Sequence, residues 1–423
     1  MNNFSQKLKH IYTEPVIRKR ILFTLGILVA TRVFAVIPIP GIDTARLQSL
    51  FSGSEFLNLL NLFSGGGLSN LSIVMLGVGP FVTASIVMQL MTLMLPKLKA
   101  LYQEEGDAGR KRFAQYSRLL TVPLAAIQGY AFIMLLERQG VLPVLPFGTL
   151  VIDVLVIVAG SILLMWLGEL ISEFGIGNGV SLIIFAGIIV GLPSSLGQLI
   201  FTFDQSLLPI YLAALVASIL IVLGVVTVTE AERPIPITYA KQVRGNRVYG
   251  GLSTYLPLRV NQAGVIPIIF ALSILLFPQM ILEFLSHSSV SAISGISYAL
   301  LGILANAWFY AIAYFVLVFL FTYFYTAVTF DPEAVANNLQ KSGAFIPGVR
   351  PGLSTSEYIA HVLTRLTLVG ALFLGVIAVL PLILRSLTGI QSLAIGGTAL
   401  LIVVSVVIDV VKKVDAQISV REY

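Results

Sequence analysis

The sequence predicts an all-α integral membrane protein that crosses the bilayer ten times. Composition carries the class: of 423 residues, 57% are hydrophobic and only 11% are charged, and the mean hydropathy is +0.95. A soluble chain would carry about a quarter charged residues. Patterning carries the helices. The apolar runs are continuous and roughly 20 residues long, enough to cross about 30 Å of hydrocarbon, whereas barrel strands would read as short alternating segments. Lipid offers backbone groups no partner, so such runs must close their hydrogen bonds within helices.

The spans fall near residues 18–36, 71–95, 116–136, 150–171, 178–200, 208–229, 262–284, 301–328, 365–385 and 390–411. Arg18, Lys19 and Arg20 precede the first apolar run, which holds Arg32 and ends in Ile37-Pro38-Ile39-Pro40. That ending is not a small-residue cleavage site, so the run reads as a retained span and not as a signal peptide. An even number of spans puts both termini on one side. On that side fall 22 Lys and Arg residues, against three opposite (Arg46, Arg138 and Arg385), with Arg32 inside the first span. The positive-inside rule makes the terminal side cytoplasmic. The net charge of +6 is thereby spread over many loops, which argues against a nucleic-acid patch. Five spans lie on each side of residue 204, dividing the chain into halves 1–204 and 205–423. Equal odd-numbered halves sit in opposite orientation, which allows an inverted repeat with a path at its interface.

Two loops on the basic side are long, near 230–261 and 329–364, and read equally as functional loops or solvated linkers. One further feature interrupts the regular pattern. After Pro38, Pro40 and Gly41 comes a short apolar patch, residues 56–63, then Ser64-Gly65-Gly66-Gly67. It is too short to span. It reads either as a half-helix re-entering the bilayer, where irregular backbone must be enclosed by protein or line a cavity, or as a surface turn with a glycine hinge.

Residues for covalent chemistry are sparse. His10, His287 and His361 lie far apart without metal-ligand spacing, no phosphate-binding loop is present, and the chain has no cysteine. Gly175-Ile176-Gly177-Asn178-Gly179 lies between two spans with no preceding strand, so it reads as a tight helix–helix corner and not as a nucleotide loop. Ionisable residues in or near spans include Arg32, Asp153, Glu169 and Asp409, and most lie close enough to a predicted end to reach the interface. They form no proton or ion relay of the kind a coupled transporter needs. A membrane enzyme would need a catalytic cluster, and no such cluster is visible.

The motifs carry more. Ile37-Pro38-Ile39-Pro40-Gly41-Ile42-Asp43, Phe63-Ser64-Gly65-Gly66-Gly67-Leu68-Ser69 and the Gly175–Gly179 corner occur in order. Tyr239-Ala240-Lys241 and Ser253-Thr254-Tyr255-Leu256-Pro257-Leu258 follow, then residues 341–352, Thr364-Arg365-Leu366-Thr367 and Gly396-Gly397-Thr398. This colinear set resembles the SecY family, bacterial in type, over nearly the whole chain.

The resemblance implies two inverted five-helix halves forming an hourglass channel, with a re-entrant plug half-helix at about 56–67 that includes Phe63, Gly65, Gly66 and Gly67. It implies a constriction ring of Val78, Val82, Val180, Ile184, Ile269 and Ile402, and a lateral gate that includes Thr83, Gln128 and Phe277. Branched apolar side chains suit a ring: they dewet a narrow pore and offer sliding chains no fixed partner. The same residue types would equally fill an ordinary core. The implied partners are SecE-like and SecG-like small membrane subunits, the SecA motor ATPase, the ribosome through rRNA and ribosomal proteins, signal sequences, nascent polypeptides and the lipid bilayer. Lys241, Arg244, Arg247 and Arg350 are the loop cations implied for driver binding. The implied activity is a passive protein-conducting channel of the Sec translocon. It has no catalysis and no cofactor, and it lies in the plasma membrane, or in the thylakoid if the source is an organelle. Asn70 and Pro234 depart from the family's usual basic residues, and three ring positions hold Val where Ile is commoner.

Overall fold

The structure is a computed structural model. It describes residues 14–39, 61, 64, 66–68, 71–103, 105–138, 140–143, 145–201, 208–239, 242–244, 247–249, 253–286, 291–304, 306–388 and 391–422. The first half of the chain holds α1 (Pro15–Val36), α2 (Gly79–Met94), α3 (Pro96–Gln103), α4 (Gly106–Arg138), α5 (Phe147–Phe174) and α6 (Gly179–Phe201). The second holds α7 (Leu208–Glu230), α8 (Ile266–Ser286), α9 (Ser291–Leu304), α10 (Ala307–Thr329), α11 (Pro332–Lys341), α12 (Leu353–Thr388) and α13 (Gln391–Glu422). Short strands lie between α7 and α8, namely β1 (Glu232–Tyr239), β2 (Gln242–Arg244), β3 (Arg247–Tyr249) and β4 (Ser253–Arg259), and β5 (Ala344–Phe345) follows α11.

Among the described residues, α4, α5, α7, α10 and α12 are long and apolar enough to cross a membrane. A sixth crossing is available if α2 and α3, bent by 112° at their junction, count as one broken span. The helices are apolar outside as well as inside. Leu25, Val29 and Val33 of α1 and Leu212, Leu215, Leu220 and Leu223 of α7 are exposed, as lipid-facing helices require. Inside, one continuous apolar core runs through Ile27, Phe132, Ile157, Ile221, Val318 and Leu374. Close packing is bought with glycine at Gly375, where a Cβ would lie 2.7 Å from the Phe315 ring that seats α10 on α12. At the helix ends, Arg118 pairs with Glu169 at 2.5 Å and Lys412 with Glu230 at 2.9 Å, tying α4 to α5 and α13 to α7.

Three differences from the sequence reading have physical causes. The second span does not become helical at Leu71: residues 71–78 form a succession of turns, and α2 begins at Gly79 with Pro80 in its first turn. Gly77 has φ +60° and its N–H donates to the Val74 carbonyl at 2.8 Å, closing a turn that a helix would not contain. The first long loop is an antiparallel hairpin, β1 on β4, with Ile235 opposite Leu256 and Ile237 opposite Thr254. Ile235 and Ile237 are buried while Pro234 and Pro236 face out, the period-2 alternation of a strand. The second loop contains α11. Asp331 caps it by accepting from the N–H groups of Glu333 and Ala334 at 2.9 and 3.2 Å, and Pro332 occupies the first position. Ile235, Leu258, Ile346, Ile359 and Val362 join both loops and the start of α12 in a separate small core.

Candidate functional site

The halves of the chain touch along two seams. On one, α8 packs against α2 and α4; on the other, α13 packs against α6. All six predicted ring residues belong to these seams. Val82 lies on α2 with Val78 at its N-cap, Val180 and Ile184 lie on α6, Ile269 on α8 and Ile402 on α13. Val78, Val82, Ile184, Ile269 and Ile402 are all buried within the large core, and Val180 packs partly buried against it. That core is broad, so burial does not single them out; they fall on four of the five helices that meet at the seams.

Leu68, Leu71, Ser72, Val74, Met75 and Val78 are each at most 1% exposed, although the backbone there is irregular. Its polar groups are satisfied within the protein. Ile39 N–H donates to the Leu71 carbonyl and Ile73 N–H to the Ile37 carbonyl, each at 3.0 Å, so the stretch after α1 pairs with the stretch before α2. Ser72 donates both its N–H and its hydroxyl to the Gly67 carbonyl, each at 3.0 Å. Irregular backbone at membrane depth is tolerated only when enclosed in this way. Leu71 is held at φ +41°, a left-handed conformation costly for a non-glycine residue. Of the expected half-helix near 56–63 only Asn61 is among the described residues, and Phe63 and Gly65 lie outside them; Gly66 and Gly67 lie within them, in the turns that lead to α2.

The corner between α5 and α6 forms as the glycine pattern predicts. Gly177 has φ +99°, and a Cβ at Gly179 would overlap the Gly168 carbonyl. Asn178 caps α6 by accepting from the N–H groups of Val180 and Ser181 at 3.1 and 3.3 Å. The Thr24 hydroxyl of α1 accepts the Ile176 N–H at 3.2 Å, which sinks the corner against the third turn of that helix.

Of the expected gate residues, Thr83 is half-buried on α2 and its hydroxyl donates to the Gly79 carbonyl of its own helix at 3.0 Å. Gln128 is buried on α4, the other helix that meets α8. Phe277 belongs to α8, but its side chain lies outside the described residues. Arg244 and Arg247 pair across the β2–β3 turn, and Arg350 is exposed after β5; Lys241 lies outside the described residues.

Two charged residues depart from the expected reach towards an interface. Asp153 of α5 is 7% exposed and lines a small cavity with Ile39, Leu71, Met75, Ile133, Leu136 and Leu142. Arg32 of α1 turns inward, and its Nη2 donates to the carbonyl of Ile183 on α6 at 3.2 Å. Sequence gave no signal for either direction beyond the rule that intramembrane charge faces protein.

Comparison with known proteins accords with this geometry. The SecY family model matches residues 72–411. The protein translocase subunit SecY of Corynebacterium glutamicum is 42% identical over 436 residues, covering 97% of each chain. That of Mycobacterium tuberculosis strain H37Rv is 41% identical over 439 residues, covering 96% of each. Among solved structures, one described as "The structure of a protein conducting channel" has a TM-score of 0.66 at 21% identity, covering 95% of this chain and 93% of the other. Sec61 in the canine ribosome-channel complex from the endoplasmic reticulum gives 0.61 at 20% identity, covering 95% and 93%. The chain therefore belongs to the SecY family.

Proposed function

We propose that this chain is the channel subunit of a Sec translocon, conducting unfolded secretory polypeptides across a membrane and releasing apolar segments sideways into lipid. The observation that carries the reading is the placement of buried branched residues, Val82, Ile184, Ile269 and Ile402, on four of the five helices that form the two seams between the halves. A path between the halves would run along these seams. A ring of such side chains would exclude water and ions while gripping no particular sequence. The α8 seam against α2 and α4 would be the lateral gate, where an apolar signal helix gains by leaving water for lipid. The α13–α6 contact would be the hinge. Opening would be a population shift between two packings of the halves, biased by whatever binds the open one.

The fuller architecture belongs to the same reading: ten crossings, halves 1–204 and 205–423 in inverted orientation, a plug near 56–67, and both termini in the cytoplasm of a plasma membrane or the stroma of a chloroplast. Support comes from the charge asymmetry of the loops, the enclosed irregular backbone before α2, and the curated relatives, which are named protein translocase subunits. No side chain is assigned covalent chemistry, so the energy comes from partners. SecE-like and SecG-like subunits would brace the exposed apolar helices. SecA or a ribosome would dock on the paired loops that share the small core, with Arg350 at their surface. One structural neighbour is described as Sec61 in a ribosome-channel complex and another as a yeast Ssh1 complex bound to the 80S ribosome.

Site-specific crosslinking tests the reading. A photo-crosslinker at Val82 or Ile184, in a complex stalled midway through a secretory precursor, is expected to trap that precursor, whereas Leu215 on the exposed face of α7 is not. A competent stalled complex that gave adducts only at Leu215, or at none of the three, would overturn the pore assignment.

A further inference from the structure

Arg32 stands eight residues beyond Thr24 on α1, about 12 Å further along the helix at 1.5 Å per residue. Since Thr24 meets the α5–α6 corner, Arg32 lies alongside the first turns of α6, within the bilayer and not at its surface. Its Nη2 donates to the Ile183 carbonyl at 3.2 Å. Ile183 immediately precedes the ring residue Ile184, one turn beyond Val180, and both isoleucines are 1% exposed. The other side of the guanidinium faces a different element. Its Nη1 lies 3.8 Å from the position a Cβ would take on Gly66.

Gly66 is held at φ +83°, its N–H donating to the Asn61 carbonyl at 2.9 Å. The next residue, Gly67, supplies the carbonyl that receives both Ser72 donors. One guanidinium thus touches the helix that carries two ring positions and the turn by which the plug segment joins α2. Arginine suits such a place because its planar fork presents five donors in fixed directions. Charge inside a membrane is costly and persists where it pairs with carbonyls at a working position.

We propose that Arg32 is a positioning residue that latches the plug's exit turn against the constriction helix in the resting channel. The inference rests on the channel reading above. α1 and α6 lie in the same half, so the Ile183 bond anchors the guanidinium, while the Gly66 turn is the part free to leave when a polypeptide enters. In the closed state the Gly66 turn sits beside a fixed cation and in the open one it leaves it, so the interaction made only in the closed state biases the equilibrium towards closure.

The test leaves Arg32 in place and changes the sign of charge opposite it. Asp and Asn visit left-handed backbone more readily than other side chains, so Gly66→Asp and Gly66→Asn strain the turn least, Gly66→Asn serves as the uncharged reference for that strain, and Gly66→Lys supplies the opposite charge. Each variant is reconstituted with the small membrane subunits in vesicles. Resting halide efflux and the lag before precursor translocation are then measured. Gly66→Asp is expected to tighten the latch, lengthening the lag and lowering efflux, while Gly66→Lys raises efflux by about tenfold, with Gly66→Asn between them. Arg32→Met is expected to leak like Gly66→Lys, and Arg32→Lys to leak less than Arg32→Met. If Gly66→Asp and Gly66→Lys shift efflux in the same direction, or if neither moves it, the latch is wrong and Arg32 is merely structural. If the unaltered protein moves no precursor in the same vesicles, it is the channel reading that fails.

Discussion

Gly160 of α5 lies directly under the Ile73 carbonyl, so close that a Cβ at 160 would overlap that oxygen. The irregular segment before α2 is therefore seated on a helix face that glycine alone keeps flat, and its own turns could not be buried there otherwise.

Gly160→Ala is accordingly expected to destabilise the protein by about 1–3 kcal/mol, the usual cost of overpacking against atoms that cannot move aside. Gly26→Ala is the control: nothing lies within 4 Å of the added methyl, and alanine in a helix interior gains about 0.5–1 kcal/mol over glycine. Thermal unfolding in detergent, followed by intrinsic fluorescence, should show the melting temperature falling for the first variant and holding or rising for the second. Equal behaviour would mean that the segment does not rest on α5.

The α5–α6 corner makes a second, separable prediction. Asn178→Ala removes the acceptor for two backbone N–H groups at the start of α6 and should cost about 1 kcal/mol, while Asn178→Asp, which keeps the oxygen, should cost much less. Because Val180 and Ile184 ride on this helix, the alanine variant should also leak ions in the resting state. Unfolding and vesicle efflux measured on the same preparation would show whether the two effects travel together.

What the sequence made legible follows from what hydropathy can encode. Length and apolarity located the helices to within a few residues for α5, α6 and α7, because in lipid the backbone leaves little other choice. The start of α2 was misplaced because residues 71–78 are apolar and buried in either conformation. Only Gly77, Gly79 and Pro80 signalled the turns. The strand β1 was hidden by Pro234 and Pro236, which lack the N–H of a ladder yet sit on its outward positions. The helix α11 is legible in Asp331-Pro332-Glu333, a capping residue before a first-turn proline, although hydropathy alone makes the stretch a polar loop. Composition cannot tell ring residues from core, the six ring positions rest on the family motifs alone, and neither source shows which way Arg32 turns.

The paired loops yield a prediction about coupling to a driver. Leu258 is fully buried in the small core that joins both loops, so Leu258→Ala should cost about 2–5 kcal/mol locally and expose the loops to protease. Arg350→Ala, at an exposed position, should change stability by less than about 0.5 kcal/mol. Both should weaken binding of SecA or a ribosome, the first through disorder and the second through lost charge, so only the Arg350→Ala defect should shrink towards nothing as salt rises. A proteolysis time course and a binding titration at two salt concentrations distinguish them. If binding is unaffected by either change, the loops are linkers.

Ile184 decides between a pore and a plain core. It is 1% exposed, as is fitting for either role, and its neighbourhood is apolar in both. The two differ in what lies beyond the side chain. In a constriction the space opens to water above and below, so a serine there can be hydrated: folding would lose less than the roughly 2–5 kcal/mol of a truncated core residue, and the wetted neck would pass ions. In a sealed core the hydroxyl would be stranded, adding a desolvation cost of about 1–3 kcal/mol, with no path for ions to take. Ile157 of α5, fully buried in the same apolar core, supplies the reference for that second case. Ile184→Ser is therefore expected to raise resting conductance in planar bilayers with a modest drop in melting temperature, and Ile157→Ser to lower the melting temperature more without conductance. Should Ile184→Ser behave as Ile157→Ser does, the ring does not include α6, and the branched residues along the seams would have to be explained as packing.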